Sequence, residues 1–477
     1  MNIFVAIIFL LYMQYVECFF RFTEGRLRFT EGRLRFTEGS QFLIKNHEIK
    51  KEIQYTNNKK NDNEIIKQIS GFYGLIGPDI DKFSIKSLYD LFTGDGIIQG
   101  VFFENGNITF VKHFVRTEKI MYEEQYGRFS KKIIMTTLYI LLNKIGILPN
   151  VLGLANTALL NIDNHIFALF ERDLPYHIDI DLENKQIKTV KKININGLQH
   201  FSGHSKYNTH QKKIYTIDYD VITNIVSYIT LNEKFQQIDK VLIKTSYIPI
   251  VHDFAVLKNG ILFIDSPFCW NPFFLKQSPV SFANTKPTFI HIYNEETKTR
   301  TQYECEESFY IFHYAHVIEN ENTIDIYGSL YDNLDFSSLY IQGKYRKITL
   351  DKNSGKVFIK KNQEFENMNL DFPIKWKDFV VLRSIENQKI TGFVVCKELE
   401  MISKIMLPYN RYFCGEPSII EIEGSPFLLG FSYDSFENGY IIMFELFTKK
   451  YIEIQLHNIQ LNIGFHAMFL SYDKMIR

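Results

Sequence analysis

The chain has 477 residues, of which 45% are hydrophobic and 15% are aromatic, with 43 Phe and 28 Tyr. Lysine and arginine balance aspartate and glutamate at 54 each. With zero net charge and no basic block in the sequence, nucleic acid is excluded as an expected partner. The length allows about three domains or one large all-β domain, and the aromatic excess favours many β-strands.

The five cysteines are odd in number, widely spaced and without a C-x-x-C pair. Such a set predicts neither a disulfide framework nor a zinc site. We expect most of them to be reduced core residues: Cys18, Cys269, Cys305, Cys396 and Cys414.

Residues 1–19 form a signal-like or anchor segment. The apolar run at 3–16 has the length of a signal-peptide core rather than of a membrane span. No Lys or Arg precedes this run, so the usual positive region is missing. Three interpretations stay open: a cleaved signal, a membrane anchor, or a wrongly assigned gene start.

Residues 20–64 are interpreted as a heptapeptide repeat followed by a polar linker. The repeat Arg-Phe-Thr-Glu-Gly-Arg-Leu carries a glycine in every unit, at Gly25, Gly32 and Gly39, which opposes a coiled coil. The following residues, 45–64, are rich in Lys, Asn and Glu and predict a linker. We therefore expect the folded domain to extend over 65–477.

Strand and turn signals dominate this domain. The apolar runs 97–103 and 108–115 flank Glu104-Asn105-Gly106-Asn107, which predicts a hairpin. Similar units recur at roughly ten-residue spacing to the C-terminus, which favours a propeller or a barrel. Residues 131–147 are the exception, because their apolar side chains recur at helical spacing. This helix would cap the β core or face lipid near a substrate entrance.

Four histidines occupy similar aromatic, strand-like settings: His204, His252, His313 and His466. Their separations of 48, 61 and 153 residues are far too long for a zinc finger. They suit a fold of repeated β units in which several units each bring one residue to a shared axis. Neutral imidazole is a good ligand for iron, zinc or copper.

Four histidine ligands without a directly bound carboxylate would leave iron(II) room for O₂ and substrate. Ligand histidines need an acceptor at their other ring nitrogen. The pattern therefore predicts carboxylates in otherwise apolar segments, and the candidates are Glu171, Asp371 and Glu416.

The motifs resemble the carotenoid cleavage oxygenase family, which also includes the retinoid isomerohydrolase and stilbene-cleaving dioxygenases. The resemblance runs from about Gly71 to His466, and its strength lies in the order of many weak motifs. Besides the four histidine motifs these are Gly77-Pro78-Asp79, Phe92-Thr93-Gly94-Asp95-Gly96-Ile97, Phe114-Val115-Arg116-Thr117, Ala155-Asn156-Thr157-Ala158, Leu169-Phe170-Glu171-Arg172-Asp173-Leu174-Pro175, Leu370-Asp371-Phe372-Pro373 and Gly415-Glu416-Pro417.

The resemblance implies a seven-bladed β-propeller with a helical dome over its top face. It implies that Fe(II) is bound on the axis by His204, His252, His313 and His466. The family pattern selects His313 rather than His316, because His313 directly follows Phe312. It assigns Glu171, Asp371 and Glu416 to bonds with ligand histidines. Thr157 matches a threonine near the vacant iron position.

Two departures from the family pattern affect these expectations. Asp371 stands where the family usually has Glu, so its bond to a histidine is expected to lengthen or to need a water. The Pro-Asp-Pro-Cys-Lys motif of the animal retinoid branch is absent from the sequence, which argues against isomerohydrolase chemistry.

The implied function is a non-haem Fe(II) dioxygenase that cleaves a C=C bond of a carotenoid or apocarotenoid into two carbonyl products. The alternatives are a stilbene-cleaving dioxygenase, in which Lys119 could activate a phenol, and a catalytically inactive propeller used for binding. The expected partners are an apolar polyene, O₂ and a membrane contacted peripherally for substrate uptake. The expected location is membrane-associated, with cytoplasmic or secretory entry left open.

Overall fold

The computed structural model describes residues 48–53, 60–82, 84–126, 152–271, 278–448 and 450–472. The expected signal-like segment, the heptapeptide repeat and the expected helix at 131–147 lie outside these residues. The chain divides into two compact units. One comprises Met1–Asn46 and Arg116–Leu152, and the other comprises His47–Val115 and Gly153–Arg477.

The larger unit is built from antiparallel sheets of consecutive strands. The first blade contains β1 (Ile49–Ile53), β2 (Gly71–Asp79), β3 (Asp95–Glu104) and β4 (Asn107–Phe114). The second contains β5 (Ala158–Ile162), β6 (His165–Leu169), β7 (Tyr176–Asp181) and β8 (Gln186–Lys192). The third contains β9 (Lys206–Asn208), β10 (Lys213–Asp220), β11 (Ile225–Asn232) and β12 (Gln237–Lys244).

The fourth blade contains β13 (Ala255–Leu257), β14 (Gly260–Asp265), β17 (Thr288–Asn294) and β18 (Arg300–Cys305), with a separate ribbon of β15 (Phe268–Trp270) and β16 (Val280–Phe282). The fifth contains β19 (Tyr310–Glu319), β20 (Thr323–Tyr331), β21 (Lys344–Asp351) and β22 (Val357–Lys360). The sixth contains β23 (Leu370–Trp376), β24 (Phe379–Glu386), β25 (Lys389–Lys397) and β26 (Glu400–Met406). The seventh contains β27 (Arg411–Phe413), β28 (Ser418–Ile422), β29 (Ser425–Asp434), β30 (Gly439–Glu445) and β31 (Tyr451–Leu456).

The last strand, β32 (Ala467–Ser471), returns to the first blade and pairs with β2. Its register runs from Gly71 opposite Ser471 to Leu75 opposite Ala467. Within the described residues the strands thus fall into seven successive blades, and the last strand joins the first blade. The sixth and seventh blades are joined in one nine-stranded sheet, because β25 also pairs with β27. The prediction of an all-β, seven-bladed propeller is confirmed.

The predicted hairpin of the first blade is also confirmed. Strands β3 and β4 pair up to Glu104 opposite Asn107. Asn105 and Gly106 between them have φ angles of 52° and 85°, the left-handed values that a type I′ turn requires.

Regular structure begins earlier than residue 65, the expected start of the domain. Strand β1 lies inside the predicted linker of residues 45–64, and it pairs with β4. Its alternation is short, but Ile53 is buried and joins a core cluster together with partly buried Ile49. One buried and one partly buried isoleucine on the same face outweigh the polar composition of the segment.

Four short helices accompany the strands in the described part of the chain: α1 (Lys60–Lys67), α2 (Leu88–Phe92), α3 (Glu118–Tyr126) and α4 (Gln363–Glu366). None of these is long and apolar enough to cross a bilayer. Helix α3 belongs to the smaller unit, where Lys119 forms an ion pair of 3.0 Å with Glu123. The helical dome stays a prediction, because its expected helix is not among the described residues.

The hydrophobic core lies largely between neighbouring blades. One cluster joins Leu262 and Ile264 of the fourth blade to Ile324 and Ile326 of the fifth. Cys305, Cys396 and Cys414 are buried and lie in core clusters, so the expected core position is confirmed for these three.

Candidate metal centre

Each of the four histidines lies at a corresponding place in its blade. His204, His252 and His466 precede β9, β13 and β32, and His313 lies near the start of β19. Strands β9, β13 and β19 are the first strands of their blades, and β32 borders the first blade. Repetition of this position around the propeller brings together residues that are distant in the sequence.

One ring nitrogen from each of the four histidines lies within 4.8 Å of the corresponding atom of the others. The Nε2 atoms of His204 and His252 are 3.0 Å apart. His204 also has its ring centroid 5.0 Å from that of His313 and 4.7 Å from that of His466. His316 does not join them and instead stacks on Tyr327. The structure therefore groups the histidines selected from the sequence, and their role as ligands stays a prediction.

Three of the histidines contact the three predicted carboxylates through Nδ1. Glu171 bonds His252 through a short contact. Asp371 lies 3.1 Å from His313 Nδ1, and Glu416 lies 3.3 Å from His466 Nδ1. An Nδ1–H that donates to a carboxylate leaves the lone pair on Nε2, the nitrogen that faces the cluster.

The His313 Nε2 atom is the clearest sign of an absent partner. It is buried and has no hydrogen-bond partner among the described residues. A buried polar atom of this kind is costly to leave unsatisfied. Four imidazoles with converging nitrogens, one of them orphaned, form a donor set that fits a metal ion.

The electrostatics of the cluster favour neutral imidazoles beside ionised carboxylates. Burial, reinforced by His252 and His466, holds the pKa of His204 well below its usual value. Burial also lowers the pKa of His313, although Asp371 opposes this shift. Burial alone would raise the pKa of Asp371, but His313 and Tyr331 bring it below the ordinary value.

The Glu171–His252 pair behaves differently. Burial disfavours both charges, yet the contact between the two groups outweighs it. As a result the pKa of Glu171 is lowered and the pKa of His252 is raised. Tyr219 also donates to Glu171, at 2.9 Å, which stabilises the carboxylate further.

The shorter carboxylate of Asp371 reaches its histidine directly. The contact needs no bridging water, and its 3.1 Å lies between the short Glu171–His252 contact and the 3.3 Å contact of Glu416 with His466. A β-bulge separates the Asp371–Arg383 and Ile374–Val381 pairs of β23 and β24. Within it Phe372 has a φ of 54°. The other carboxylate oxygen accepts a hydrogen bond of 2.6 Å from Tyr331.

Thr157 lies beside the turn that carries His204. A Cβ atom placed on Gly203 would be 2.8 Å from Thr157 Cγ2, so the methyl group occupies the space next to Gly203. The threonine hydroxyl donates to the Asn156 side chain at 3.2 Å. Asn156 in turn donates to the Gly94 carbonyl at 2.7 Å. This position agrees with the expected one near the centre, and its role stays a prediction.

Two aromatic residues at the centre were not selected as site residues from the sequence. Phe372 stacks on His466 with a centroid distance of 4.9 Å and an interplanar angle of 21°. It also lies 4.5 Å from His313. Phe312 meets the His252 ring edge-on at 5.5 Å. Both residues adjoin a selected residue, Asp371 or His313, and that adjacency was the available signal.

The chain is similar to known proteins in sequence and in fold. Residues 52–444 match the model of the retinal pigment epithelial membrane protein family. Carotenoid 9,10(9′,10′)-cleavage dioxygenase 1 of Arabidopsis thaliana is 28% identical over 298 residues, which cover 58% of this chain and 55% of the plant protein. The match therefore spans little more than half the length of that relative.

Solved structures share the fold. A variant of Synechocystis apocarotenoid oxygenase aligns with a TM-score of 0.71 and 16% identity, covering 89% of this chain and 96% of the other. The Pseudomonas brassicacearum lignostilbene dioxygenase aligns with a TM-score of 0.70 and 13% identity, covering 91% and 97%. The family match extends over most of the chain and confirms the resemblance inferred from the motifs. The chain thus belongs to the retinal pigment epithelial membrane protein family, that of the carotenoid cleavage oxygenases.

Proposed function

We propose that the chain is a non-haem Fe(II) dioxygenase that cleaves a C=C bond of a carotenoid or apocarotenoid into two carbonyl products. The observation that carries the proposal is the convergence of four histidine nitrogens within 4.8 Å. The similarity to a carotenoid cleavage dioxygenase supports the same chemistry and substrate class.

His204, His252, His313 and His466 would hold the iron. Their imidazoles are neutral ligands, so the centre would keep the full charge of the metal, and Glu171, Asp371 and Glu416 would compensate it from outside. Bound iron would supply the activation of O₂ next to the substrate double bond. The carboxylates orient the rings and raise their basicity.

The surroundings of the centre suit an apolar substrate. Phe312, which meets His252, belongs to a core cluster that also contains Tyr310, Phe268 and Phe336. Aromatic side chains of this kind exclude water and offer dispersion contacts to a conjugated chain. A polyene has no polar group of its own along its length, so binding rests on such contacts.

The decisive test is iron content followed by product analysis. The full chain is purified without oxygen, and iron per chain is compared between wild type and His252→Ala. We expect near-stoichiometric iron in the wild type and little in the variant. The iron-loaded wild type should then convert an all-trans apocarotenal into shorter aldehydes under air and not under argon. A well-folded wild type that takes up no iron contradicts the proposal and favours the inactive binding propeller.

Stilbene cleavage is the second candidate, supported by the shared fold of the lignostilbene dioxygenase. In this case a phenolic stilbene would be cleaved faster than any polyene, and Lys119→Ala would lose most activity. The ion pair of Lys119 with Glu123 favours a structural role for this lysine. We therefore expect Lys119→Ala to retain cleavage of the polyene.

Peripheral membrane contact and a membrane-associated location belong to the same proposal, because polyenes partition into bilayers. Co-sedimentation of the full chain with phospholipid vesicles tests this part. Protein that stays in the supernatant while it cleaves a detergent-solubilised polyene would contradict membrane contact without affecting the chemistry.

A further inference from the structure

Asp253 is a buried carboxylate that directly follows His252. Its hydrogen bonds within the described residues go to groups other than the imidazoles of the four clustered histidines. It is 5% exposed. Its Oδ1 atom accepts a bond of 2.6 Å from Lys206 Nζ and one of 2.8 Å from the Phe254 backbone N–H. Its Oδ2 atom accepts from the Tyr314 backbone N–H at 3.1 Å. Both oxygens are therefore engaged.

The partners of Asp253 lie next to two other histidines of the centre. Lys206 is two residues after His204, and its ammonium also donates to the His204 carbonyl at 3.3 Å. Tyr314 directly follows His313. One carboxylate thus connects the segments that carry three of the four histidines, and these segments begin the third, fourth and fifth blades.

The bond to Tyr314 occupies a place where the ladder is irregular. Strand β19 shifts register against β20 on both sides of Tyr314. A backbone N–H in such a place requires a partner other than the regular strand ladder. Asp253 supplies this partner from the neighbouring blade and so fixes the backbone next to His313 relative to the backbone next to His252.

We propose that Asp253 is a positioning residue that sets the spacing of His204, His252 and His313 for metal binding. The inference rests on the proposed metal centre and goes beyond it. Glu171, Asp371 and Glu416 each orient one imidazole ring, whereas Asp253 orients the main chain of three blades. Because a metal site requires its donors within about 0.5 Å of the bonding geometry, loss of this link weakens binding even though every ligand is retained.

The test uses Co(II), whose visible absorption reports the ligand geometry without any turnover. The metal-free full chain is titrated with Co(II) under argon in wild type and Asp253→Asn. We expect Asp253→Asn to bind Co(II) about 10–100-fold more weakly, with changed position and intensity of the visible bands.

Asp325 offers a matched control. It is also a buried aspartate, 9% exposed, and it pairs with Lys347 at 2.9 Å. It accepts from Thr349 at 2.7 Å, so its partners lie within the fifth blade alone. Asp325→Asn should lose thermal stability, yet bind Co(II) with the affinity and spectrum of the wild type.

A second pair covers the case in which Asp253→Asn does not fold. Lys206→Met removes the hydrogen bonds from the lysine to Asp253 and to the His204 carbonyl. Lys347→Met, which removes the ion pair with Asp325, is its control. We expect weaker Co(II) binding and an altered spectrum only in Lys206→Met. Wild-type affinity and spectrum in folded Asp253→Asn, or in Lys206→Met where the former does not fold, overturn the inference and leave the metal centre standing. A wild type that binds neither Co(II) nor Fe(II) overturns both.

Discussion

The guanidinium carbon of Arg383 lies 3.5 Å from the centroid of the Phe372 ring. The same phenyl ring stacks on His466 at 4.9 Å. A cation over an aromatic face is favourable by about 0.5–2 kcal/mol. Phe372 is thus held between a partly buried arginine and a histidine of the centre, at a left-handed φ of 54° that phenylalanine rarely adopts.

This arrangement predicts that Phe372→Gly is more stable than Phe372→Ala, the reverse of the usual order of glycine and alanine. Phe372→Ala removes the ring and keeps the unfavourable φ, so it should destabilise the protein by on the order of 3 kcal/mol. Phe372→Gly removes the same contacts but adopts positive φ freely. It should therefore be more stable than Phe372→Ala by about 1 kcal/mol. Urea unfolding of the metal-free variants measures both values, and a less stable glycine variant would contradict the strained backbone.

The Tyr331–Asp371 bond predicts a graded loss of metal affinity. Asp371→Asn removes the charge that supports His313 and should weaken Co(II) binding about 10–100-fold. Tyr331→Phe removes only the 2.6 Å bond to Asp371 and should cause a smaller loss of Co(II) affinity. It should also lower the free energy of unfolding by about 1.5–3 kcal/mol. Tyr345→Phe, which removes a fully buried hydroxyl in the same blade, is the control and should bind Co(II) normally. Equal affinities in Asp371→Asn and wild type would show that Asp371 does not support the metal.

The histidines and their carboxylates could be predicted because each lies in a short motif in which a polar, metal-binding or charged side chain stands among apolar neighbours. An imidazole or a carboxylate among apolar neighbours needs a partner wherever the fold places it. The seven blades followed from the recurring strands and turns together with the family resemblance. Asn105-Gly106 is an example of a local pair that specifies its own turn.

Other features depend on register and could not be predicted. The bond between Asp253 and the Tyr314 N–H joins residues 61 positions apart and exists because β19 is irregular at that point. The left-handed Phe372 contradicts the strand preference of phenylalanine. Strand β1 has only five residues, and three of them are charged, so composition concealed its pairing with β4.

The pH dependence of stability should report an ion-pair network of the fifth blade. Arg346 donates to Glu366 through two bonds of 2.7 Å, and these bonds, opposed by partial burial, lower the pKa of Glu366. A lowered carboxyl pKa stabilises the fold above the ordinary glutamate pKa of about 4.3. This contribution is lost as the pH falls through the lower folded value, so the free energy of unfolding should decrease as the pH drops below the ordinary glutamate pKa.

Two glutamine variants on α4 isolate this effect. Glu366→Gln should have a flatter acid limb in urea unfolding measured at successive pH values. Glu364→Gln alters an exposed residue of the same helix and should follow the wild type. Parallel curves for Glu366→Gln and wild type would mean that the Arg346 contact contributes nothing to acid sensitivity.

The contact between Gly203 and Thr157 predicts a rescue. In Gly203→Ala the new methyl group would meet Thr157 Cγ2 at 2.8 Å, so either the threonine or the turn before His204 must shift. We expect weaker Co(II) binding and slower polyene cleavage, because His204 moves with its turn.

Thr157→Ser deletes the obstructing Cγ2 atom and leaves the hydroxyl, and by itself it should bind Co(II) like the wild type. The double variant should then recover most of the lost affinity, which a double-mutant cycle expresses as a coupling between the two sites. Additive losses in the double variant would show that the two side chains act independently and that the contact with Thr157 does not position His204.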